Sequence, residues 1–439
     1  MMKWRSAIAM DVVRSVTAPI AMFGFSFFVA AMSSDAAEPR LSSLRKPNEA
    51  ALSPVELLGV IEIAGNATDE CPIEGKLEDG SPLNQFGGLS GIEYDRRSDR
   101  FILLADRGAG DGLVNFPCRF HETDLTLHPA TATIQMKLIE TRLLRSADGK
   151  NFLGSLESHG IDFAATHTHG GDLDHFTALD PEGIRCMADG NLLVSDEYGP
   201  RILKFSPTGS LIGKMVVPNH FGLHSDGGVY GSMGSVPNRG LEGIAITPMG
   251  SRIVATVQSP LVQDGRIENG RVLGRNCRWL VLDDAGDVES EVIYQLDDET
   301  TGLSEILAID ETRFLVLERD SVPGADAKNK RIYIADLSNA TDVKSHPFLK
   351  DANLPASIRA VEKHLLVDLL DERFGIRGES APEKPEGMCW GKPLPDGRRT
   401  LWVCCDNDFV ASNSSWIYAF GIDSSVISST EHLTQPSAD

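Results

Sequence analysis

Five times in this chain a short phrase places Glu or Ser, then Gly or Glu, then Ile or Met. Each copy is followed 14 to 20 residues later by an acidic or polar residue. Pro181-Glu182-Gly183-Ile184 leads to Asp196-Glu197-Tyr198, Leu241-Glu242-Gly243-Ile244 to Gln258-Ser259, and Pro385-Glu386-Gly387-Met388 to Asp406-Asn407-Asp408. Two copies carry Ser in the acidic place: Leu89-Ser90-Gly91-Ile92 runs to Asp106-Arg107, and Leu303-Ser304-Glu305-Ile306 to Glu318-Arg319. Carboxylates that converge on one place repel one another, and either raised pKa values or a bound cation relieves that cost. The chemistry open to them is general acid and base catalysis, or the holding of a hard cation by oxygen ligands. Glu182, Asp196, Glu197, Glu242 and Glu386 are the candidate catalytic groups. The same five with Asp406 are the candidate metal ligands, with Asp106, Glu305 and Glu318 as second choices.

The element that must position them is a β-hairpin: a short apolar strand, a Gly-containing turn such as Asp189-Gly190, and a second strand such as Leu192-Leu193-Val194. After the best copy come Arg201–Phe205, a Pro207-Thr208-Gly209 turn and Leu211–Val217, which makes four strands. Four-stranded units repeated along one chain are the mark of a β-propeller, in which each unit buries an apolar face against its neighbour. The expected fold is an all-β, single-domain propeller over residues 51–430. Six blades are expected, with five to seven compatible with the repeat, and the strand-like Val55–Ala64 is placed to complete the last blade. In such a blade the first strand starts on the face to which the second returns. The Glu of the phrase and its closing acid then share one rim of the central channel.

Calcium suits an oxygen-rich, flexible site of this kind. It would also answer a charge problem, since a bare acidic channel repels a phosphorylated substrate and bridging cations bind phosphoryl oxygens. Arg107, Arg239 and Arg319, each beside the motif, are candidate substrate-binding groups. The competing reading is structural: each Glu caps backbone amides and each Gly lets the chain turn. No Gly-x-Ser-x-Gly nucleophile elbow has a credible context, which argues against a serine esterase.

Residues 1–36 read as a signal peptide: Lys3, Arg5 and Arg14, the apolar Ala18–Met32, then the small residues Ser34 and Ala36. The apolar stretch is shorter than the roughly 20 residues of a membrane span. Residues 37–50 read as a disordered lead-in. A net charge of −22 makes nucleic acid and anionic membrane surfaces poor partners. The expected partner is a small molecule, and the expected location periplasmic or secreted. Export permits disulfides among the seven cysteines, with Cys71–Cys118 and Cys389 with Cys404 or Cys405 as the pairs to test. An insertion from Ser146 to Asp180 carries His159, His167, His169, Asp172, Asp174 and His175; a solvated loop is the expectation there, a metal site the alternative. Arg359–Phe374 reads as an amphipathic helix through Ala360, Val361, Leu365, Leu366, Leu369 and Leu370.

The Glu-Gly-Ile/Met phrase, Asp196-Glu197-Tyr198-Gly199 and Asp406-Asn407-Asp408 together resemble the phytase-like domain family, described as esterase-like activity of phytase. The resemblance covers about residues 55–422 and is strongest over 181–209, 238–259 and 385–409. It implies an exported propeller-like hydrolase whose Glu and Asp residues support phosphoester or ester hydrolysis. Ser90, Ser304 and Gln258-Ser259 depart from the acidic pattern, so not every blade supplies a ligand. The expected function is calcium-dependent hydrolysis of a phosphoester or related ester. The alternatives are a calcium-dependent lactonase or ester hydrolase of the gluconolactonase kind, or a non-catalytic propeller that binds a ligand or protein.

Overall fold

A computed structural model describes residues 54–155, 177–223, 231–350 and 353–428. The signal peptide, the lead-in and the histidine-rich segment expected from the sequence lie outside the described residues.

Every copy of the phrase opens the inner strand of a four-stranded antiparallel blade, and the described residues form five such blades. Strand β1 (Val55–Ile63) comes first in the chain. The first blade is β2 (Leu89–Asp95), β3 (Arg100–Ala105), β4 (Arg119–His128) and β5 (Thr133–Leu143). The second is β6 (Pro181–Cys186), β7 (Leu192–Asp196), β8 (Arg201–Phe205) and β9 (Leu211–Met215). The third is β10 (Leu241–Ile246), β11 (Arg252–Val257), β14 (Asn276–Asp283) and β15 (Val288–Gln295), with a small hairpin of β12 (Arg266–Glu268) and β13 (Arg271–Leu273) inserted. The fourth is β16 (Gly302–Ala308), β17 (Arg313–Arg319), β18 (Lys330–Asp336) and β19 (Glu362–Asp368), and the fifth is β20 (Lys384–Trp390), β21 (Arg399–Asp406) and β22 (Ser415–Ile422).

Strand β1 pairs antiparallel with β22 and completes the fifth blade, as its place in the sequence predicted. Because that strand joins an existing blade, the described count is five, not the six expected. The inner strands β2, β6, β10, β16 and β20 touch in a closed circle. Val60 of β1 also meets Thr133 of β5, so the fifth and first blades are linked at the outer edge. Closure removes the free sheet edges. The apolar core lies between blades: Leu89, Ile92 and Phe101 of the first pack with Trp402 and Ile417 of the fifth, and Leu104 and Phe120 with Ile184 and Val194 of the second.

The glycines of the phrase set how closely the inner strands approach. A Cβ on Gly183 would lie 2.9 Å from the Glu242 carbonyl oxygen, one on Gly243 2.6 Å from the Ile306 nitrogen, and one on Gly387 2.8 Å from the Ser90 carbonyl oxygen. Only glycine allows that contact. The ladder register also slips at all five copies: between Leu89 and Gly91, Pro181 and Ile184, Leu241 and Ile244, Leu303 and Glu305, and Pro385 and Met388. Such bulges bend a strand locally and re-aim its side chains.

Two sequence expectations fail here. The segment expected as a helix over 359–374 contains β19, the outer strand of the fourth blade, followed by a short 3-10 turn at Glu372–Phe374. Its apolar residues recur at intervals of four, and four is even, so Val361, Leu365 and Leu369 fit one face of a strand as well as a helical stripe. At the sheet edge Leu365 is left 54% exposed. The cysteines are all free thiols. Cys389 sits opposite Trp402 in the ladder, and Cys404 opposite Ile417. The thiols of Cys118 and Cys404 reach the carbonyls of Leu179 and Leu89.

Candidate functional site

The starts of the inner strands bring Glu182, Glu242 and Glu386 to one mouth of the channel, with Ser90 and Ser304 in the equivalent places of the first and fourth blades. Glu242 and Glu386 are buried, and Glu182 is half-buried. They share the mouth with Glu197, at the end of the second strand of the second blade, and with Asp180, the residue just before the phrase. One oxygen from each of Asp180, Glu182 and Glu197 lies within 4.8 Å of the others. Sequence reasoning missed Asp180. The available signal was an acid directly ahead of Pro181 at the entry to the strand.

Backbone contacts hold this cluster. The Asp180 amide donates to Asp196 Oδ1 at 2.9 Å, and the Glu197 amide donates to the Asp180 carbonyl at 2.9 Å. Asp196 also accepts from the Gly199 amide at 3.1 Å and from Arg201 Nε at 2.5 Å. Its carboxylate is therefore a clamp between β6, β7 and β8, and it stands outside the triad. Arg107 Nη1 is paired with Asp180 and lies 3.3 Å from Glu197 Oε2, while Nε donates to Asp111 at 3.1 Å. Nη1 also donates to Asn238, a second residue that the sequence did not single out.

Around the triad, Glu242 accepts from Gln258, the residue that replaces the closing acid in the third blade. Glu386 is paired with Arg319, whose Nη1 donates to Ser321 at 2.8 Å. Asp406 accepts from the Asp408 amide at 2.7 Å and lies 3.5 Å from Lys384. Asp106 accepts from the Gly108 amide at 2.7 Å. Arg239 is half-buried and forms no ion pair among the described residues. The other two second choices lie elsewhere. Glu318 accepts from Tyr294 at 3.1 Å and Thr301 at 2.8 Å and is paired with Lys363 at 2.9 Å. Glu305 is paired at 2.9 Å with Arg185, a residue of the second blade's inner strand that also approaches Glu93 at 3.6 Å. These three groups bridge the channel interior.

The charges at the mouth do not balance. Asp106, Asp180, Glu182, Glu197, Glu242, Glu386 and Asp406 face three cations, Arg107, Arg319 and Lys384. Burial and the neighbouring Asp180 push the Glu197 carboxyl up to about 8 against the pull of Arg107. Burial and Glu242 hold Glu182 well above the usual carboxylate range, and burial with Glu197 and Glu386 does the same to Glu242. Burial raises Asp106, with Asp406 and Asp180 adding repulsion. It also carries Asp406 up to about 7, opposed by Lys384. Glu197 Oε1 is buried without a hydrogen-bond partner. Oxygens within 4.8 Å of one another can reach one calcium ion, since each ligand sits roughly 2.3–2.6 Å from it. The donor set is oxygen only, which fits calcium or magnesium better than a soft metal. Beside the mouth, Asp106, Arg107, Lys384, Asp408 and Phe409 line a cleft of about 480 Å³.

No helix of the described residues is long and apolar enough to cross a membrane. An uncharacterized secreted protein of Arthroderma benhamiae is 26% identical over 362 residues, covering 66% of this chain and 69% of that one. Among solved structures, the calcium-binding protein regucalcin of Agrobacterium tumefaciens matches 78% of this chain and 93% of its own at 11% identity and a TM-score of 0.35. A streptogramin B lyase matches 82% and 97%, at 11% identity and a TM-score of 0.27. The phytase-like family model, described as esterase-like activity of phytase, matches residues 84–409. The chain belongs to that family.

Proposed function

We propose that the channel mouth is the active site of an exported hydrolase that depends on a hard divalent cation, calcium first, and cleaves a phosphoester or related ester. The observation that carries the reading is the triad Asp180, Glu182 and Glu197, held within 4.8 Å in a mouth with more carboxylates than cations. A calcium ion, when bound, supplies positive charge for phosphoryl or ester oxygens that the bare mouth would repel. Asp180, Glu182 and Glu197 hold it. Arg107 fixes the side chains of Asp180 and Glu197, and Glu182, with no ion pair or hydrogen bond to its carboxylate among the described residues, is free to turn toward the ligand. Glu242, buried, oriented by Gln258 and held well above the usual carboxylate range by burial and the neighbouring Glu197 and Glu386, is placed to pass a proton to the leaving oxygen. The bulge at Leu241/Ile244 is what turns that carboxyl to the mouth. The family and the secreted relative support an extracellular or periplasmic setting.

A second reading, a neutral ester or lactone as substrate, is favoured by one observation. Arg107, Arg319 and Lys384 are each already paired with a carboxylate, and of the three candidate substrate-binding arginines Arg239 alone has no ion pair among the described residues. Phosphate contacts would then fall to the cation. The deciding experiment measures phosphate release from phytate and an aryl phosphate, and hydrolysis of an aryl acetate and a γ-lactone, by calcium-depleted protein with and without added calcium. Calcium-restored phosphate release, lowered about 10²-fold or more in Glu182→Gln, supports the first reading. Turnover of the neutral substrates alone supports the second. A folded protein that binds calcium and turns over none of them is a binding module.

A further inference from the structure

The far ends of the inner strands carry a site of opposite character. Tyr94 lies near the end of β2 and Trp390 ends β20, while Arg399 begins β21, so the three lie on the face opposite the glutamates. With Arg96 and Lys392 they line a pocket of about 300 Å³ whose lining includes no carboxylate. The Arg399 guanidinium lies over the Trp390 ring at 3.6 Å from its centroid, and the indole is itself fixed by a 2.8 Å hydrogen bond from Nε1 to the Ala308 carbonyl. Stacking of this kind leaves the N–H donors of the guanidinium directed along its plane. The Arg399 side chain forms no ion pair or hydrogen bond among the described residues, although it is half-buried and the chain carries 63 acids against 41 lysines and arginines. Asp99, an acid that touches two residues of the lining, is already taken: it is bonded to Tyr94 at 2.5 Å and paired with Lys392 at 2.6 Å. Burial and the repulsion of Arg96 lower Arg399 to about 10, still charged at neutral pH.

A half-buried guanidinium with its donors unused, held rigid by an aromatic ring and backed by a second arginine, is a preorganised receptor for an oxyanion. We propose that this pocket is a second ligand site, on the face opposite the acidic mouth, for the phosphate or carboxylate group of a small molecule, with Arg399 as the bidentate donor and Arg96 as the second cation. It is independent of the hydrolytic reading. Arg96 is exposed and reaches the ligand from the turn after β2, so it tunes affinity and Arg399 sets geometry.

The test is calorimetric titration of calcium-depleted full-length protein with inorganic phosphate and, separately, with acetate, at one ionic strength held with chloride. Saturable binding of at least one anion is expected, weakened about tenfold or more in Arg399→Gln and by a smaller factor in Arg96→Gln. Glu182→Gln should leave it unchanged. Phosphate tighter than acetate assigns a phosphorylated ligand; the reverse assigns a carboxylate. Absence of saturable heat with both anions overturns the proposal, and so does equal affinity in wild type and Arg399→Gln. If Arg399→Gln fails to fold, Arg96→Gln decides: undiminished binding in that variant overturns the proposal. Binding lost in Glu182→Gln would move the anion to the other mouth and also overturn it.

Discussion

The second and fourth blades start their inner strands with the same phrase, yet their acids do different things. In the second, Glu182 is followed by Gly183, whose missing side chain lets the third blade's strand come close. The carboxylate is left at the mouth, half-buried and opposed by Glu242, Asp180 and Glu197. In the fourth, Ser304 takes that place and the acid stands one residue later, where the other copies have glycine. Glu305 is buried at 1% exposure and accepts from the Ile306 amide at 2.9 Å and from the Met388 amide, and it is paired with Arg185 across the channel. One step along a strand turns a side chain to the other face. A carboxylate at the mouth is thereby exchanged for a cross-brace inside the ring. The lesson is that the acid of the phrase stays at the mouth when glycine follows it, and turns into a brace when it takes the glycine's place.

Removing the brace should cost most. Glu305→Ala leaves the Arg185 charge buried with only Glu93 nearby, and a loss of about 3–5 kcal/mol is expected in urea denaturation. Glu182→Gln in calcium-free protein should be neutral or slightly stabilising, since it removes a repelled charge. If the two variants lose the same stability, the contrast between the copies fails. Calcium provides the next largest effect: at about 100 times its dissociation constant it should stabilise the wild type by about 2.7 kcal/mol. The gain in Glu182→Gln should be clearly smaller, and the gain in Ser304→Ala should match the wild type, because Ser304 belongs to a blade without a mouth carboxylate.

Gly243→Ala comes third. Its new methyl group would meet the Ile306 nitrogen at 2.6 Å, a backbone atom that cannot turn aside, and a loss of about 1–3 kcal/mol is expected in the same assay. The pH dependence of the calcium-free protein should be the smallest effect, on the order of 1 kcal/mol across the window once solvation of the mouth is allowed for. Glu197 rises from an ordinary 4.5 to about 8 and Asp406 from 3.8 to about 7, so the folded chain holds these protons more tightly than the unfolded one. Their contribution is fully present below about 4 and is lost as pH climbs to about 8. A urea midpoint that rises over that range without calcium would contradict the assignment, and added calcium should flatten the slope.

Much of the site was legible as sequence because hairpins are local. The phrase, its turn and its closing residue lie within one short stretch, so Glu182, Glu197, Glu242, Glu386 and Asp406 could be assigned to one face from strand direction alone. The glycines were legible as special positions, though as turns, whereas the structure uses them for contact between blades. Asp180 had only a faint signal, an acid directly ahead of Pro181, because it precedes the repeated phrase and has no counterpart in the other copies. Nor was the fate of Asp196, which depends on Arg201 folding back from the next strand. The misread segment over 359–374 shows the limit of periodicity when apolar residues recur at an even interval. The cysteine pairs failed because spacing along the chain says little about which side chains face each other across a ladder.

By itself, then, the sequence determined the repeat unit, the closing role of the strand before the first repeat, and the rim on which the acids gather, because each follows from strand alternation and turn chemistry. The tertiary structure alone decided the five described blades, the cations that neutralise particular acids, and the union of Asp180 with Glu182 and Glu197. It alone exposed the unpaired Arg399 on the opposite face. Those outcomes depend on which blade lies beside which, and ring closure sets distances between residues that no local pattern relates.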